Sequence, residues 1–408
     1  MGSITLIVYL LCFLVRFHRV QGELSISEEE HLEFDNQLNV LNKPPLKTVV
    51  GEAGDVFDCV DIHKQPAFDH PLLKNHSVQM APTSMPEGLI AKSLTASKEL
   101  RPVQETVDCP HGTVPIRRTR KEDLKRAKSI NTVSHAQRSI SPHPKTSTLT
   151  TKYPGQHRAI VRTKLSNRMY HGAYGIMNTL NPNVEREQWS SAQIWVENAA
   201  GGQLDTIQVG WKVDPKLFGD TRTRFFIYWE SNADFAEPKG CYNLLCSGFV
   251  QTNRENPVGA TYAPTSKYGG QQYTVSFYIF QDGITKDWWL INRDLKNPII
   301  YGYWPKSLFP SLTQGANYVG WGAVTQAASS GFSPQMGNGY FADGHYDHSG
   351  YFSNILVMNE SYDAEEIKRD ILEIVRDAPK CFNAKLYPYR QDVGNSIMYG
   401  GPGGACGV

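Results

Sequence analysis

The chain is poor in long apolar runs. The one that stands out is ITLIVYLLCFLV, Ile4–Val15. Twelve residues are too few to cross a bilayer and match the core of a signal peptide. No later apolar run is long enough to cross a membrane. Charge bias is also missing. Lys and Arg number 41 against 40 Asp and Glu, a formal net charge of +1, which leaves no basic surplus to hold nucleic acid. The sequence has no C-x-x-C pair for a zinc site, no G-x-S-x-G elbow for a serine hydrolase and no glycine-rich phosphate loop. It also has no Glu at all between Asn256 and Asn359.

What is present points to the secretory route. The expected signal peptide covers residues 1–22, with Val20-Gln21-Gly22 as its small-residue end; the n-region carries no Lys or Arg, and a signal anchor is the other reading. Seven cysteines become six once Cys12 leaves with that peptide. Six allow fifteen pairings. The sequential set, Cys59/Cys109, Cys241/Cys246 and Cys381/Cys406, is favoured because each pair then lies inside one structural unit. Asn75-His-Ser77 and Asn359-Glu-Ser361 are N-glycosylation sequons. The expected location is extracellular, apoplast or vacuole, with no membrane contact after signal cleavage.

A length of 408 residues suggests more than one unit. Residues 23–130 read as a small pro-domain. It has a polar segment fit for a short helix, then a Pro-, Asp- and His-rich loop tied by Cys59. Arg117–Lys128 holds seven basic and two acidic residues; it is either a solvated helix face or, at Arg117-Arg118, a processing site. Residues 131–157 contain Ser, Thr, Pro and His with hardly a large apolar side chain, which cannot offset the entropy of ordering. They read as a flexible linker. From 158 to 408 alternating strands dominate. In Thr206–Val213, Ile207, Val209, Trp211 and Val213 take one face and Gln208, Gly210 and Lys212 the other. Arg224–Trp229, Gln272–Phe280, Trp288–Asn292 and Asn317–Thr325 come next, separated by Gly, Pro and Asn turns. The expected fold is all-β: an antiparallel β-sandwich or barrel behind a disulfide-tied pro-domain. One helix is expected at Asp363–Asp377, with Ile367, Ile371, Ile374 and Val375 as its apolar stripe and Asp363 with Glu366 as a capping pair.

Many blocks in order resemble the neprosin family of glutamic peptidases. In the N-terminal part they are GDVFDCVDIHKQPAFDHPLLKNH (Gly54–His76) and CPHGTVPIRRT (Cys109–Thr119). In the C-terminal part they are SAQIWV (Ser191–Val196), IQVGWKVDPKLFGDTRTRFFIYW (Ile207–Trp229), GCYNLLCSGFVQTN (Gly240–Asn253), WWL (Trp288–Leu290), GYWPKSLF (Gly302–Phe309), QMGNGYF (Gln335–Phe341) and GGPGG (Gly400–Gly404). The resemblance implies a prepro-protein with an activation-peptide domain, a sandwich of two seven-stranded antiparallel sheets and acid endopeptidase activity after proline. The family's two catalytic glutamates stand in I-E-A-G-W and W-G-G-E-V strands. Here those strands read Ile207-Gln208-Val209-Gly210-Trp211 and Trp321-Gly322-Ala323-Val324-Thr325. Glutamine and valine therefore take the two catalytic positions.

Paired-carboxylate hydrolysis needs one group to take a proton from water and another to donate one. The Gln208 amide can donate a hydrogen bond but cannot accept a proton, and Val324 can do neither. The expectation is a catalytically silent protein whose cleft retains a ligand, a peptide or cell-wall polymer and proline-rich by analogy, with its own pro-segment as a further partner. Cleft candidates are Gln193, Trp211, Tyr228, Glu230, Trp321 and Gln335, and Gln208 is expected to face an open cleft. Two other readings stay open: an active acid endopeptidase with altered machinery, and a lectin-like structural sandwich. Glu230 stands where family members carry threonine; it is a replacement carboxylate or, more simply, an exposed strand-end charge. Asp343, His345, Asp347 and His348 have metal-ligand chemistry but the spacing of a polar hairpin tip. No metal or cofactor is expected, and the chain is read as a monomer.

Overall fold

A computed structural model describes residues 28–86, 100–126, 154–200, 203–231, 239–292 and 298–407. The expected signal peptide and nearly all of the expected linker lie outside the described residues.

Two large antiparallel sheets form the sandwich. One has seven strands in the spatial order Lys239–Tyr242, Arg224–Ser231, Gln203–Val213, Trp189–Ala200, Tyr318–Gln326, Gln156–Thr163, Leu372–Arg376. The other has nine strands where the family resemblance implied seven; Thr274–Gln281, Gly172–Asn178 and Gly350–Met358 run through its middle. Alternation decides the packing. Ile207, Val209, Trp211 and Val213 all fall in the core between the sheets, with Ile194, Val196, Phe225, Ile227, Val319 and Trp321 from the neighbouring strands. From the opposite sheet come Phe277, Ile279, Trp288, Leu290, Phe352 and Tyr399. Burying each such side chain stabilises the fold by about 1.5–3 kcal/mol. The three expected disulfides are all formed: Cys59–Cys109, Cys241–Cys246 and Cys381–Cys406.

The expected helix at Asp363–Asp377 is absent. Ala364–Glu366 and Leu372–Arg376 are strands with a short 3-10 turn, Arg369–Ile371, between them. The second strand closes the edge of the seven-stranded sheet, pairing Leu372 with Thr163 and Ile374 with Val161. An apolar stripe at helical spacing was overridden by an open sheet edge that β-branched Ile374 and Val375 fit. The capping pair does not form; Asp363 donates its N–H to Asn359 Oδ1 in a turn.

The pro-domain has a helix, Glu28–Leu41, and a three-stranded sheet of Lys47–Val50, Val56–Asp61 and Thr113–Arg117. The basic run is largely committed to ion pairs. Arg117 meets Asp55 at 2.7 Å and Arg118 meets Asp58 at 2.5 Å, so the dibasic candidate sits paired at a strand end. Lys121 pairs with Asp35 and Arg126 with Asp123.

This domain docks against the outer face of the nine-stranded sheet and the loops beside it, and reaches the seven-stranded sheet at Arg224 and Trp229. Ala67, Phe68 and Val78 join Tyr174, Tyr278, Trp289 and Tyr303 in a second apolar cluster. Two histidines sit in the contact. His76 Nε2 is 2.7 Å from Tyr303 Oη, and the His70 ring packs edge-on to Trp229. Burial lowers both imidazole pKa values, with Lys239 adding to the effect at His70 and Asp287 opposing it at His76. A histidine with a depressed folded pKa contributes stability above its unfolded value near 6.5, and that contribution is lost as pH falls. Thermal unfolding of the full chain should therefore lose stability as pH drops below about 6.5. His76→Gln should flatten that slope, measured by calorimetry across the range. A slope unchanged in the variant would show that His76 does not contribute to it.

Candidate functional site

In the seven-stranded sheet the register fixes which side chains share the face turned away from the core. Gln208 lies directly across from Tyr228 on one side and Trp195 on the other. Moving two residues one way, the next row is Phe226, Gly210, Gln193, Gly322, Ile160, and the one after is Lys212, Ser191, Val324, Arg158. Moving two residues the other way, the row is Glu230, Thr206, Glu197, Tyr318. One face thus carries Gln208 and Val324, the two positions that the sequence resemblance sets against the family's glutamates, together with Gln193, Tyr228 and Glu230.

Gln193 occupies the space between the two family positions. It is flanked by Gly210 and Gly322, and both glycines are there for close approach. A Cβ on Gly210 would lie 1.9 Å from the Ala192 carbonyl oxygen, and one on Gly322, at φ +149°, would lie 2.4 Å from that of Ala159. The long Gln193 side chain runs in this lane. Its Nε2 donates to Gln208 Oε1 at 2.6 Å, and its Oε1 accepts from Ser191 Oγ at 2.9 Å. Gln208 Nε2 in turn donates to Thr206 Oγ1 at 3.4 Å, and Thr206 Oγ1 donates to Glu197 Oε1 at 2.9 Å. Ser191, Gln193, Gln208, Thr206 and Glu197 form one directed chain, each donating to the next and ending on a carboxyl. The Gln208 amide is engaged at both ends.

Val324 packs in an apolar cluster with Ile160, Trp189 and Trp195. Ionisable groups sit elsewhere on the face. Glu197 is 1% exposed, and burial pushes its carboxyl up to about 7; the Thr206 hydrogen bond and the Arg162 and Arg158 charges pull it down, and Glu230 pushes it further up. Glu230 is 4% exposed and accepts a hydrogen bond from Tyr228 Oη at 2.6 Å, so it is a buried carboxyl rather than the exposed strand-end charge expected from sequence. Lys212 lies over the Trp189 ring, 3.4 Å from Asp214; burial pushes its amine down to about 8 and the Asp214 charge opposes this. The face is closed in the full-length chain: Gln208 is 6% exposed, against the open cleft expected.

Three of the cleft candidates lie elsewhere. Trp211 and Trp321 point the other way, into the core, because each lies three residues from Gln208 or Val324 on the same strand, an odd spacing that reverses the face. Their indoles donate to the Asn178 and Tyr174 carbonyls at 2.8 and 3.0 Å. Gln335 comes just after a short strand, Phe332–Ser333, and accepts from the Asn183 N–H at 3.3 Å. In the Asp343–His348 turn, His348 Nδ1 is 2.8 Å from Asp343 Oδ2, and the His348 ring stacks on Tyr268. Among the described residues no group of three or more His, Cys, Asp and Glu is placed to hold a metal. Asn75 is exposed, and Asn359 is half-buried with its amide directed at Glu365.

Sequence reasoning missed Ser191, Thr206, Lys212 and Glu197. The alternation from Gln193 through Trp195 to Glu197 was available as a signal. The juxtaposition of Glu197 and Glu230 on either side of Thr206 was not, since it depends on the pairing of three strands.

The neprosin profile matches residues 186–402, and the neprosin activation peptide profile matches residues 48–162. Among solved structures, scytalido-glutamic peptidase with a peptide-based transition-state analogue is 9% identical with a TM-score of 0.31, over 60% of this chain and 97% of that one. SCP-B, an Eqolisin-family peptidase in complex with the tripeptide Ala-Ile-His, is 8% identical with a TM-score of 0.28 over the same shares. Two profiles in order, one of them spanning more than half of the chain, establish the relationship: the protein belongs to the neprosin family and carries that family's activation peptide ahead of its β-sandwich.

Proposed function

We propose that this is a secreted neprosin-family pro-protein whose former catalytic groove holds a peptide segment without cutting it. The observation that carries the reading is the state of the two family positions. Gln208 is an amide held at both ends by Gln193 and Thr206, and Val324 is enclosed by Ile160, Trp189 and Trp195. Neither moves a proton. Loss of a general acid or base removes about 10²–10⁴ in rate. The groove keeps donors, acceptors and aromatic walls in Gln193, Tyr228 and Trp195, which is the equipment for binding an extended backbone. Its ligand is a peptide or wall polymer, proline-rich by analogy with the family, and the chain's own pro-segment is a further partner.

A second reading is favoured by one observation: Glu197 and Glu230 flank Thr206 on the same face as Gln208. In that reading the carboxyl pair replaces the family's own and the protein is an acid endopeptidase.

The two readings separate in a proline-containing peptide assay run from acid to neutral pH. The native chain is expected to show no cleavage, and Gln208→Glu with Val324→Glu to raise turnover by at least about 10²-fold. Cleavage by the native chain that Glu230→Gln or Glu197→Gln abolishes would replace the first reading with the second.

The raised carboxyl of Glu197 has a consequence for stability. Its folded pKa, about 7, lies above the ordinary value of 4.5, so its contribution is fully present below 4.5 and is lost as pH rises through 7. Glu197→Gln should remove a pH-dependent loss on the order of 3 kcal/mol between those limits, read from denaturant unfolding at a series of pH values. A native chain and variant with parallel pH profiles would show that Glu197 is not held protonated.

A further inference from the structure

We propose that the activation segment is a permanent subunit of this protein: when another protease cuts the chain between residues 127 and 153, the two pieces stay together. The cut itself is ordinary hydrolysis, water adding across one amide to leave a carboxylate and an amine. Retention of the segment after the cut does not depend on whether the groove binds or cleaves peptide.

The interface is of the kind found inside domains. Leu73, from the activation segment, is completely buried within the main core of the sandwich alongside residues of both sheets. Val103–Gln104 adds a strand to Tyr262–Ala263, and the ladder extends through Glu105 N–H to the Thr261 carbonyl and Val107 N–H to the Glu255 carbonyl. Gln65 and Gln251 bond reciprocally: Gln65 Nε2 donates to the Gln251 carbonyl at 3.0 Å, and the Gln251 N–H donates to Gln65 Oε1 at 2.8 Å. Both side chains are buried.

One ion pair spans the boundary with little access to water. Asp55 of the activation segment binds Arg224 of the sandwich at 2.6 Å and Arg117 of its own sheet at 2.7 Å. Arg224 is 1% exposed. Truncating Asp55 in place would leave the Arg224 guanidinium with only the partly exposed Asp220 among these carboxylates. Removing one partner from a buried pair is costly because the remaining charge is left unsolvated.

Departure would also uncover Tyr278, Trp289 and Tyr303, which the segment covers with Ala67, Phe68 and Val78. A contiguous aromatic face of this kind is rare on the surface of a soluble monomer. No disulfide spans the boundary. Cys59–Cys109 lies within the segment, and Cys241–Cys246 and Cys381–Cys406 lie within the sandwich. Retention is therefore a property of packing and not of a covalent tether. Gln193, Gln208 and Val324 are meanwhile bonded to or packed among sandwich residues. The segment covers the outer face of the nine-stranded sheet and meets the seven-stranded sheet through Asp55 at Arg224, which lies across from Lys212 two rows from Gln208.

The test uses the full-length chain with the recognition sequence of a site-specific protease inserted after Ser141. After complete cutting, the sample is run on size exclusion near neutral pH at about 0.15 M and about 1 M salt, since high salt screens exposed charges but not buried ones. Non-reducing denaturing gels of the fractions should show both fragments in one peak at both salt concentrations. An activation fragment eluting in a separate, later peak would overturn the proposal. A second arm compares Asp55→Ala, cut and uncut. The uncut variant should run as one folded species, and the cut one should release the fragment at least tenfold faster than the native sequence on dilution. Equal release rates would overturn the role given to the Asp55–Arg224 pair and with it the account of how the pieces are held.

Discussion

Two buried indoles set the orientation of the site. Trp211 and Trp321 donate to carbonyls at Asn178 and Tyr174, on a single strand of the opposite sheet. One indole lies on the strand that bears Gln208 and the other on the strand that bears Val324. Because side chains alternate along a strand, burying those tryptophans turns Gln208 and Val324 to the outer face. A slip of one residue would put the glutamine in the core and leave an indole N–H without its acceptor, so the register is strongly specified. The whole functional face is in this sense the reverse side of the aromatic core.

On that face the polar chemistry has moved along the strands. Gln208 is an amide in a hydrogen-bonded chain and Val324 sits in an apolar cluster. The carboxyls present stand beside Thr206 instead. Glu197 is stabilised in its neutral form by burial, and a neutral acid in a chain of amides and hydroxyls costs far less than a buried charge. The chain from Ser191 to Glu197 satisfies each buried polar group with the next, which favours one defined arrangement of these side chains. Neither Gln208 nor Val324 carries a side-chain group that titrates.

Much of this was legible in the residues themselves. The alternation in Thr206–Val213 placed Gln208 opposite Trp211 correctly, and the same rule shows why Trp211 and Trp321 do not line a cleft. The pairing of Cys241 with Cys246 and of Cys381 with Cys406 agreed with their nearness in sequence. The segment Asp363–Asp377 misled because Ile367, Ile371 and Ile374 recur at helical intervals. The same residues are β-branched, and the open edge of the strand Gln156–Thr163 offered hydrogen bonds that a helix there would have left unmade. Glu230 looked like a surface charge because a strand end is usually exposed; here the strand Lys239–Tyr242 continues the sheet beside it and Tyr228 Oη donates to its carboxyl.

Local periodicity and the order of family blocks were sufficient to give an all-β sandwich behind an activation peptide, and they are what place Gln208 and Val324 against the family's glutamates in the proposed reading. Those properties depend on near neighbours in the chain, and near neighbours are what a sequence displays. The lane that seats Gln193, the flanking of Thr206 by Glu197 and Glu230, and the docking of Leu73 into the sandwich core were decided by the tertiary structure. Each joins residues from strands far apart in the chain, and their meeting is fixed by which edges pair and in what register, a choice made by the packing of the two sheets as a whole.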